Sequence, residues 1–140
     1  MRQILLFAAL AASLALLSGC ALSKTKADTA EDMTDKAAYQ KISAEEAYEM
    51  MASQEVVVVD VRTQEEYDGG HIENAVLVPN ESIVSEMPEA PPDKEATLLV
   101  YCRSGRRSKD AAQKLLALGY QSVYDFGGVI DWPYELVKEG

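Results

Sequence analysis

The sequence predicts a three-layer α/β domain with a mainly parallel central sheet flanked by helices. Short apolar runs lack the polar alternation of a half-exposed sheet, which is typical of strands covered on both faces. Helix-opening patterns stand between these runs, as in chains that alternate strand and helix. The 140 residues provide one domain once an N-terminal segment of different composition is subtracted.

The N-terminal segment has the pattern of a signal peptide. Arg2 precedes an apolar stretch from Ile4 to Leu17, and this stretch is too short to span a bilayer comfortably. The sequence Ser18-Gly19-Cys20 resembles the bacterial lipobox. We therefore predict a lipoprotein signal peptide at residues 1–19, lipidation of Cys20 and export to the extracytoplasmic side, where the lipid anchors the protein to the cell envelope. The alternative is an ordinary secretory signal peptide.

Residues 20–38 are predicted to form the lipidated cysteine and a flexible tether. This segment has no aromatic residue, and Leu22 and Met33 are its larger apolar groups, so it cannot bury enough surface to become ordered. The folded domain is predicted at residues 39–140. A disulfide between Cys20 and Cys102 is rejected, because lipidation would occupy the first thiol and the second is the candidate nucleophile.

Within the domain, four apolar runs are predicted to be strands: 56–59, 75–78, 98–101 and 123–124. Two capping boxes open helices, Ser43-x-x-Glu46 and Thr63-x-x-Glu66. In these patterns, the hydroxyl and the carboxylate each bind a backbone N–H at the start of the helix.

Two further helices are predicted. Asn80 is a candidate cap for one, which prolines would end: Pro88, Pro91 and Pro92. The other follows Ser108, ends at Gly119, and places apolar residues on one face: Ala111, Leu115 and Leu118.

The loop that joins the third strand run to the last helix is the candidate active site. An acidic chain, with a formal net charge of −10, places four cations beside Cys102: Arg103, Arg106, Arg107 and Lys109. Backbone N–H groups and the positive helix end point into such a junction and stabilise a thiolate. Cys102 is therefore a candidate nucleophile for an anionic substrate.

The other loop residues have separate expected roles. Arg103, Arg106 and Arg107 can bind oxyanions through planar guanidinium groups. Ser104 is a candidate hydrogen-bond partner of the sulfur, whereas Ser108 is expected to cap the helix. Gly105 provides the backbone freedom for a tight turn and completes the predicted substrate-binding loop.

Motifs along the domain together resemble the rhodanese family over nearly the whole predicted domain. They are Asp60-Val61-Arg62, Glu66-Tyr67, Gly70-His71-Ile72, Ala75, Pro79, the loop from Cys102 to Ser108, Phe126-Gly127-Gly128 and Trp132. Two segments depart from the family pattern, Glu73-Asn74 and Pro133-Tyr134-Glu135, and both are outside the loop.

The resemblance implies a sulfurtransferase. Cys102 would attack the outer sulfur of a donor such as thiosulfate, expel sulfite and hold the sulfur as a persulfide until a thiol or cyanide removes it. Asp60 and Arg62 would brace the active loop, and His71 would be structural. Trp132 is expected to pack in the core or at its edge. We expect a monomer with no cofactor and no metal.

Two other functions remain open. Cysteine phosphatases and arsenate reductases carry C-x5-R, whereas Cys102 and Arg107 form the shorter C-x4-R. A non-catalytic binding or redox-sensing module would keep the same fold. Nucleic acid is not an expected partner, because its phosphates require a broad basic surface and this chain is acidic.

Overall fold

The computed structural model describes residues 38–84 and 93–138. The predicted signal peptide, Cys20 and all of the tether except Ala38 lie outside these residues and remain predictions. Among the helices of the described residues, none is long and apolar enough to span a membrane.

A five-stranded sheet with only parallel pairings forms the centre of the domain, so the predicted fold class is confirmed. Its strand order is β1-β5-β4-β2-β3. The strands are β1 Gln40–Lys41, β2 Val57–Asp60, β3 Val76–Leu77, β4 Thr97–Cys102 and β5 Ser122–Gly128. The two-residue β1 was not predicted, because it is too short to show a hydrophobic period.

Three α-helices flank the sheet in the described part of the chain: α1 Ala44–Ser53, α2 Gln64–Asp68 and α3 Arg106–Ala117. Both predicted capping boxes are present, with Ser43 and Glu46 opening α1 and Thr63 and Glu66 opening α2. Helix α3 ends as predicted, since Leu118 is its C-cap and the following Gly119 has a φ of 93°.

The prediction that Asn80 caps a helix is wrong. Asn80 is the first residue of a short 3-10 helix, Asn80–Ser82, which has no side-chain cap. Its side-chain amide instead donates to the Asp110 carboxylate of α3 at 3.0 Å. The three prolines expected to end this helix are at residues 88, 91 and 92, which lie outside the described residues.

Side chains alternate along β4 between two apolar cores, one on each face of the sheet. Leu98, Val100 and Cys102 join the core covered by α3, whereas Leu99 and Tyr101 join the core that contains residues of α1 and α2. Each large apolar side chain buried in this way contributes roughly 1.5–3 kcal/mol. The alternation directs Cys102 toward the start of α3.

A register shift between β4 and β5 shapes the carboxyl end of the sheet. Val100 pairs with Asp125, but the next residue, Tyr101, pairs with Gly127. The shift brings Gly127 and Gly128 beside the last two residues of β4. The backbone of β5 can therefore approach the active loop closely.

Candidate active site

Cys102 lies at the carboxyl end of β4, beneath the loop that leads to α3. The residue is about 1 % exposed, and its Sγ accepts the Gly105 N–H at 3.0 Å. Gly105 is the N-cap of α3 with a φ of 96°, a left-handed conformation that favours glycine. The predicted tight turn is thus the feature that folds the loop back over the sulfur.

The surroundings of Cys102 favour its thiolate form. Burial raises the pKa of the thiol, but hydrogen bonding with the backbone N–H and side chain of Ser108 and with the N–H groups of Gly105 and Ser104 lowers it, and the net direction is downward from its usual 9.0. Ser104 contributes through its backbone, and its side chain is exposed. The thiolate is the nucleophilic form.

Ser108 does not cap α3, contrary to prediction. It is a buried residue of the first helical turn, and the N-cap position belongs to Gly105 without a side-chain hydrogen bond. The Ser108 hydroxyl instead donates to Asp125 Oδ1 at 2.7 Å, and its oxygen is 3.7 Å from the Cys102 Sγ. Ser108 is therefore part of the surroundings of the nucleophile.

Gly128 permits the close approach of β5 to the active loop. A Cβ atom at this position would collide with the Arg103 carbonyl oxygen and would lie 2.6 Å from Ser104 Cα. The Arg103 carbonyl also accepts the Ile130 N–H at 3.2 Å. The end of β5 thus forms a fixed surface against which the loop packs.

The loop arginines do not share one environment. Arg107, predicted to bind substrate, forms a bidentate ion pair with Glu66 of α2, with both N–O distances 2.8 Å. Hydrogen bonding from Arg107 is the main cause that lowers the pKa of Glu66 to about 2, and the same pair raises the pKa of Arg107. Arg103 and Arg106 are exposed at the loop surface.

Asp60 and Arg62 form a buried ion pair behind the nucleophile. Arg62 Nη2 is 2.6 Å from Asp60 Oδ2 and also donates to the Gly70 carbonyl at 2.8 Å. The Tyr101 hydroxyl donates to Asp60 Oδ2 at 2.6 Å. Their side-chain contacts reach Tyr101, the neighbour of Cys102, and the bracing of the active loop by Asp60 and Arg62 remains a prediction.

His71 and Trp132 occupy structural positions, as their sequence context predicted. His71 is buried, its Nδ1 is 3.0 Å from the Tyr67 carbonyl oxygen, and its ring stacks on Tyr67 at 3.7 Å. Trp132 packs against the core on the α1 and α2 face, with its ring 5.6 Å from that of Phe126.

Asp125 and Glu66 are the site residues that sequence reasoning missed. A carboxylate within the apolar run of β5 was a signal, because a buried charge is costly without partners. The ion pair of Glu66 with Arg107 was not predicted, since the capping box already accounted for a glutamate at this position. Contact with Arg107 depends on the tertiary packing of α2 against the loop.

A groove of about 710 Å³ lies elsewhere, and no loop residue lines it. It is formed by the end of α1, residues 72–74 and residues 132–135. The Cys102 sulfur and its N–H donor lie at the active loop instead.

The fold and the loop define a class of α/β domain that presents a cysteine sulfur to backbone N–H groups at the carboxyl edge of a parallel sheet. The family model for the rhodanese-like domain matches residues 43–133. The chain therefore belongs to the rhodanese-like domain family.

Solved structures of this family resemble the chain over most of its described length. A rhodanese-like domain protein from Staphylococcus aureus is 30% identical with a TM-score of 0.64, covering 72% of this chain and 99% of that one. A rhodanese with anions from E. coli is 35% identical with a TM-score of 0.56, covering 61% and 100%. A human single-domain sulfurtransferase is 26% identical with a TM-score of 0.60, covering 66% and 93%.

Curated relatives include longer proteins named tRNA uridine(34) hydroxylase. The one from Hamiltonella defensa is 35% identical over 113 residues, which are 76% of this chain but 32% of that protein. The one from Yersinia pestis strain Pestoides F is 31% identical over 104 residues, or 71% and 29%. The chain thus spans about a third of their length.

Proposed function

We propose that the protein moves a sulfane sulfur from thiosulfate or a related anionic donor to a thiol or cyanide through a persulfide on Cys102. The observation that carries this proposal is the Cys102 Sγ held 3.0 Å from the Gly105 N–H inside a short, N–H-lined loop. Family membership and the sulfurtransferase among the similar structures support it.

The reaction has two displacements. The Cys102 thiolate attacks the outer sulfur of thiosulfate, a new S–S bond forms, and the old one breaks as sulfite leaves with the electron pair. The acceptor then attacks the outer sulfur of the persulfide, and Cys102 leaves as a thiolate. No net oxidation of the protein occurs in the cycle.

Donor binding is assigned to exposed cations and loop N–H groups. Arg103 and Arg106 are available at the surface to pair with the sulfonate oxygens of a donor. Arg107 is already paired with Glu66, so its main contribution is to hold the loop in place. Fixed N–H donors stabilise the charge on the outer sulfur without reorganisation.

Loop size favours sulfur transfer over phosphate or arsenate chemistry. Cys102 is about 1 % exposed, and the Gly105 N–H already lies against its sulfur, so a single sulfur atom fits better than a tetrahedral group. The C-x4-R spacing is consistent with this smaller space.

The hydroxylase name belongs to proteins of which this chain matches a third. Action on tRNA would require contact with its phosphates, and a chain of net charge −10 is poorly suited to that contact. We therefore propose small sulfur compounds as substrates and no nucleic-acid partner.

The proposed place of this activity is the extracytoplasmic side of the cell envelope, with the domain acting as a monomer on a lipid anchor at Cys20. Ser18-Gly19-Cys20 after an apolar stretch supports this location.

Turnover of full-length protein tests the proposal. We expect thiocyanate to form from thiosulfate and cyanide, and para-nitrophenyl phosphate to remain uncleaved. Phosphatase activity without thiocyanate would favour the phosphatase alternative. Binding of thiosulfate without turnover or persulfide formation would favour a non-catalytic module.

A further inference from the structure

A buried carboxylate, Asp125, stands behind the nucleophile and has no role in the mechanism described above. Its side chain is about 1 % exposed. Oδ1 accepts the Ser108 hydroxyl at 2.7 Å and the Gly127 N–H at 2.9 Å, and it lies 3.3 Å from Lys41 Nζ. Oδ2 accepts the Tyr39 hydroxyl at 2.7 Å.

We infer that Asp125 is a positioning residue that sets, through the Ser108 hydroxyl, whether the Cys102 sulfur receives a hydrogen bond. This inference deepens the proposed function, since it concerns how Cys102 Sγ gains and loses negative charge during that reaction. It rests on the line of atoms from Asp125 Oδ1 to Ser108 Oγ, 2.7 Å, and from Ser108 Oγ to Cys102 Sγ, 3.7 Å.

The Ser108 hydroxyl has one proton and competing acceptors. Besides Asp125 and the sulfur, its oxygen lies 3.1 Å from the Gly105 carbonyl and 3.3 Å from the Gly127 carbonyl. The Asp125 carboxylate is charged and lies nearest to the Ser108 oxygen. It therefore accepts the hydroxyl proton while Cys102 is a neutral thiol. The oxygen lone pair then accepts the S–H of Cys102.

Loss of the thiol proton reverses this preference. A thiolate offers no proton to Ser108 and attracts the hydroxyl hydrogen, so the Ser108 O–H turns from Asp125 to the sulfur. Asp125 tolerates the loss of this donor, because Tyr39, Lys41 and the Gly127 N–H continue to bind it. The hydroxyl therefore occupies two positions that follow the charge on the sulfur.

The same switch operates later in the reaction. In the persulfide, the negative charge lies on the outer sulfur, so the Ser108 proton returns to Asp125. When an acceptor removes that sulfur, charge returns to Sγ and the hydroxyl again donates to it. Asp125 thus acts on both the attacking and the leaving state of Cys102, without contact with the substrate.

The groups that face this pair come from each neighbouring element. Lys41 belongs to β1 and Tyr39 precedes it, whereas Ser108 and Arg107 belong to α3. Burial and then the hydrogen bond to Asp125 raise the pKa of Tyr39 to about 12, and the Glu66 pair is the main cause of the raised pKa of Arg107.

The test is the pH dependence of iodoacetamide alkylation of Cys102 in the full-length protein, followed on the tryptic peptide 95–103. This readout needs no sulfur donor, so the inference and the proposed function can fail separately. Asp125→Asn retains the shape of the side chain but makes it a weaker acceptor for the Ser108 hydroxyl. We expect its alkylation below the midpoint of the pH profile to be roughly tenfold faster than in the wild type.

A double-mutant cycle separates the hydrogen bond from direct charge repulsion. In a Ser108→Ala background, Asp125→Asn should change the rate little, because the connecting hydroxyl is absent. An equal acceleration with and without Ser108, or no acceleration in Asp125→Asn, overturns the inference. Asp110→Asn removes a carboxylate from the same helix as Ser108 without contacting it, and should leave the profile unchanged.

Tyr39→Phe keeps the inference testable if Asp125→Asn does not fold, as judged by circular dichroism. It removes one donor from Asp125 without changing any charge, so Asp125 holds the Ser108 proton more strongly. We expect slower alkylation of Cys102, and no such slowing when Ser108 is also alanine. Faster or unchanged alkylation in Tyr39→Phe contradicts the inference.

Discussion

We propose that the reactivity of Cys102 depends on backbone N–H groups more than on the arginines that dominate the loop sequence. The Gly105 N–H contacts the sulfur directly, whereas Arg107 is occupied by Glu66. In the proposed reaction, the two exposed arginines, Arg103 and Arg106, act on the donor rather than on the thiol. On this proposal, nucleophile activation and substrate attraction are separate tasks of neighbouring residues.

Replacement of the exposed arginines tests this separation. Arg103→Ala and Arg106→Ala are expected to raise the KM for thiosulfate, each by roughly tenfold, since a charge-assisted hydrogen bond is lost. Turnover of a neutral sulfane donor should change little. Steady-state kinetics with both donors provides the measurement, and equal losses with the two donors would show that the loop has collapsed.

A methyl group at Gly128 tests the packing of the loop against β5. Gly128→Ala forces the Arg103 and Ser104 backbone to move, which costs about 1–3 kcal/mol and displaces the N–H groups from the sulfur. We expect large losses of both melting temperature and sulfur transfer. Gly119→Ala is the matched control, because its Cβ meets open space and only backbone strain of about 1 kcal/mol results. It should keep full activity.

At the scale of elements, α2 links helix capping to the active loop. Glu66 accepts the Thr63 N–H in the capping box and also binds Arg107, so one carboxylate fixes both the start of α2 and the position of the loop. Local patterns predicted the capping box, the strand cores and the end of α3, because each depends on residues close in sequence. They did not predict the role of Glu66, the contact of Asn80 with α3 or the placement of Ser108, because these depend on which elements meet in space.

The Glu66 pair should make stability depend on acid pH. Its folded pKa of about 2 lies below the usual 4.5, so its stabilisation is present above pH 4.5 and is lost as the pH falls toward 2. Glu66→Gln should lose roughly 1 kcal/mol at neutral pH, and the gap to the wild type should close in acid. Urea unfolding at several pH values measures this gap.

Glu46→Gln is the matched control for this experiment. Glu46 occupies the same capping-box position in α1 as Glu66 does in α2. Among the residues that the structure describes, no arginine forms an ion pair with Glu46. Glu46→Gln could lose as much stability relative to the wild type as Glu66→Gln at every pH. That result would assign the effect to helix capping instead of to the ion pair with Arg107.

At the scale of the whole molecule, an acidic chain carries a small cationic loop at one edge of its sheet. We expect this arrangement to concentrate small anions at Cys102 and the net charge of −10 to disfavour polyanions. The fold class followed from apolar runs and helix starts, whereas the proposed location rests on residues 1–20 alone. Anchor and chemistry are thus predicted to be separable parts of the protein.

Membrane attachment tests this separation. Wild-type full-length protein is expected in the membrane fraction, because each buried methylene of an acyl chain contributes about 0.8 kcal/mol and several chains make dissociation negligible. Cys20→Ala should lose acylation, and its signal peptide should either remain uncleaved or be removed so that a soluble form is released. In both cases the activity per folded molecule should be retained. Metabolic labelling with a fatty acid and mass analysis of the N-terminal peptide provide the measurement. An unmodified Cys20 in the mature protein would contradict the location.

The central claim is that Cys102 carries the transferred sulfur, and intact-mass analysis of the full-length protein before and after thiosulfate tests it most directly. We predict a gain of one sulfur atom, located on the tryptic peptide 95–103 and removed by cyanide. A Cys102→Ser variant should show the same circular dichroism spectrum but gain no sulfur, because serine is a far poorer sulfur nucleophile. No gain in the wild type, or the same gain in Cys102→Ser, would contradict the account.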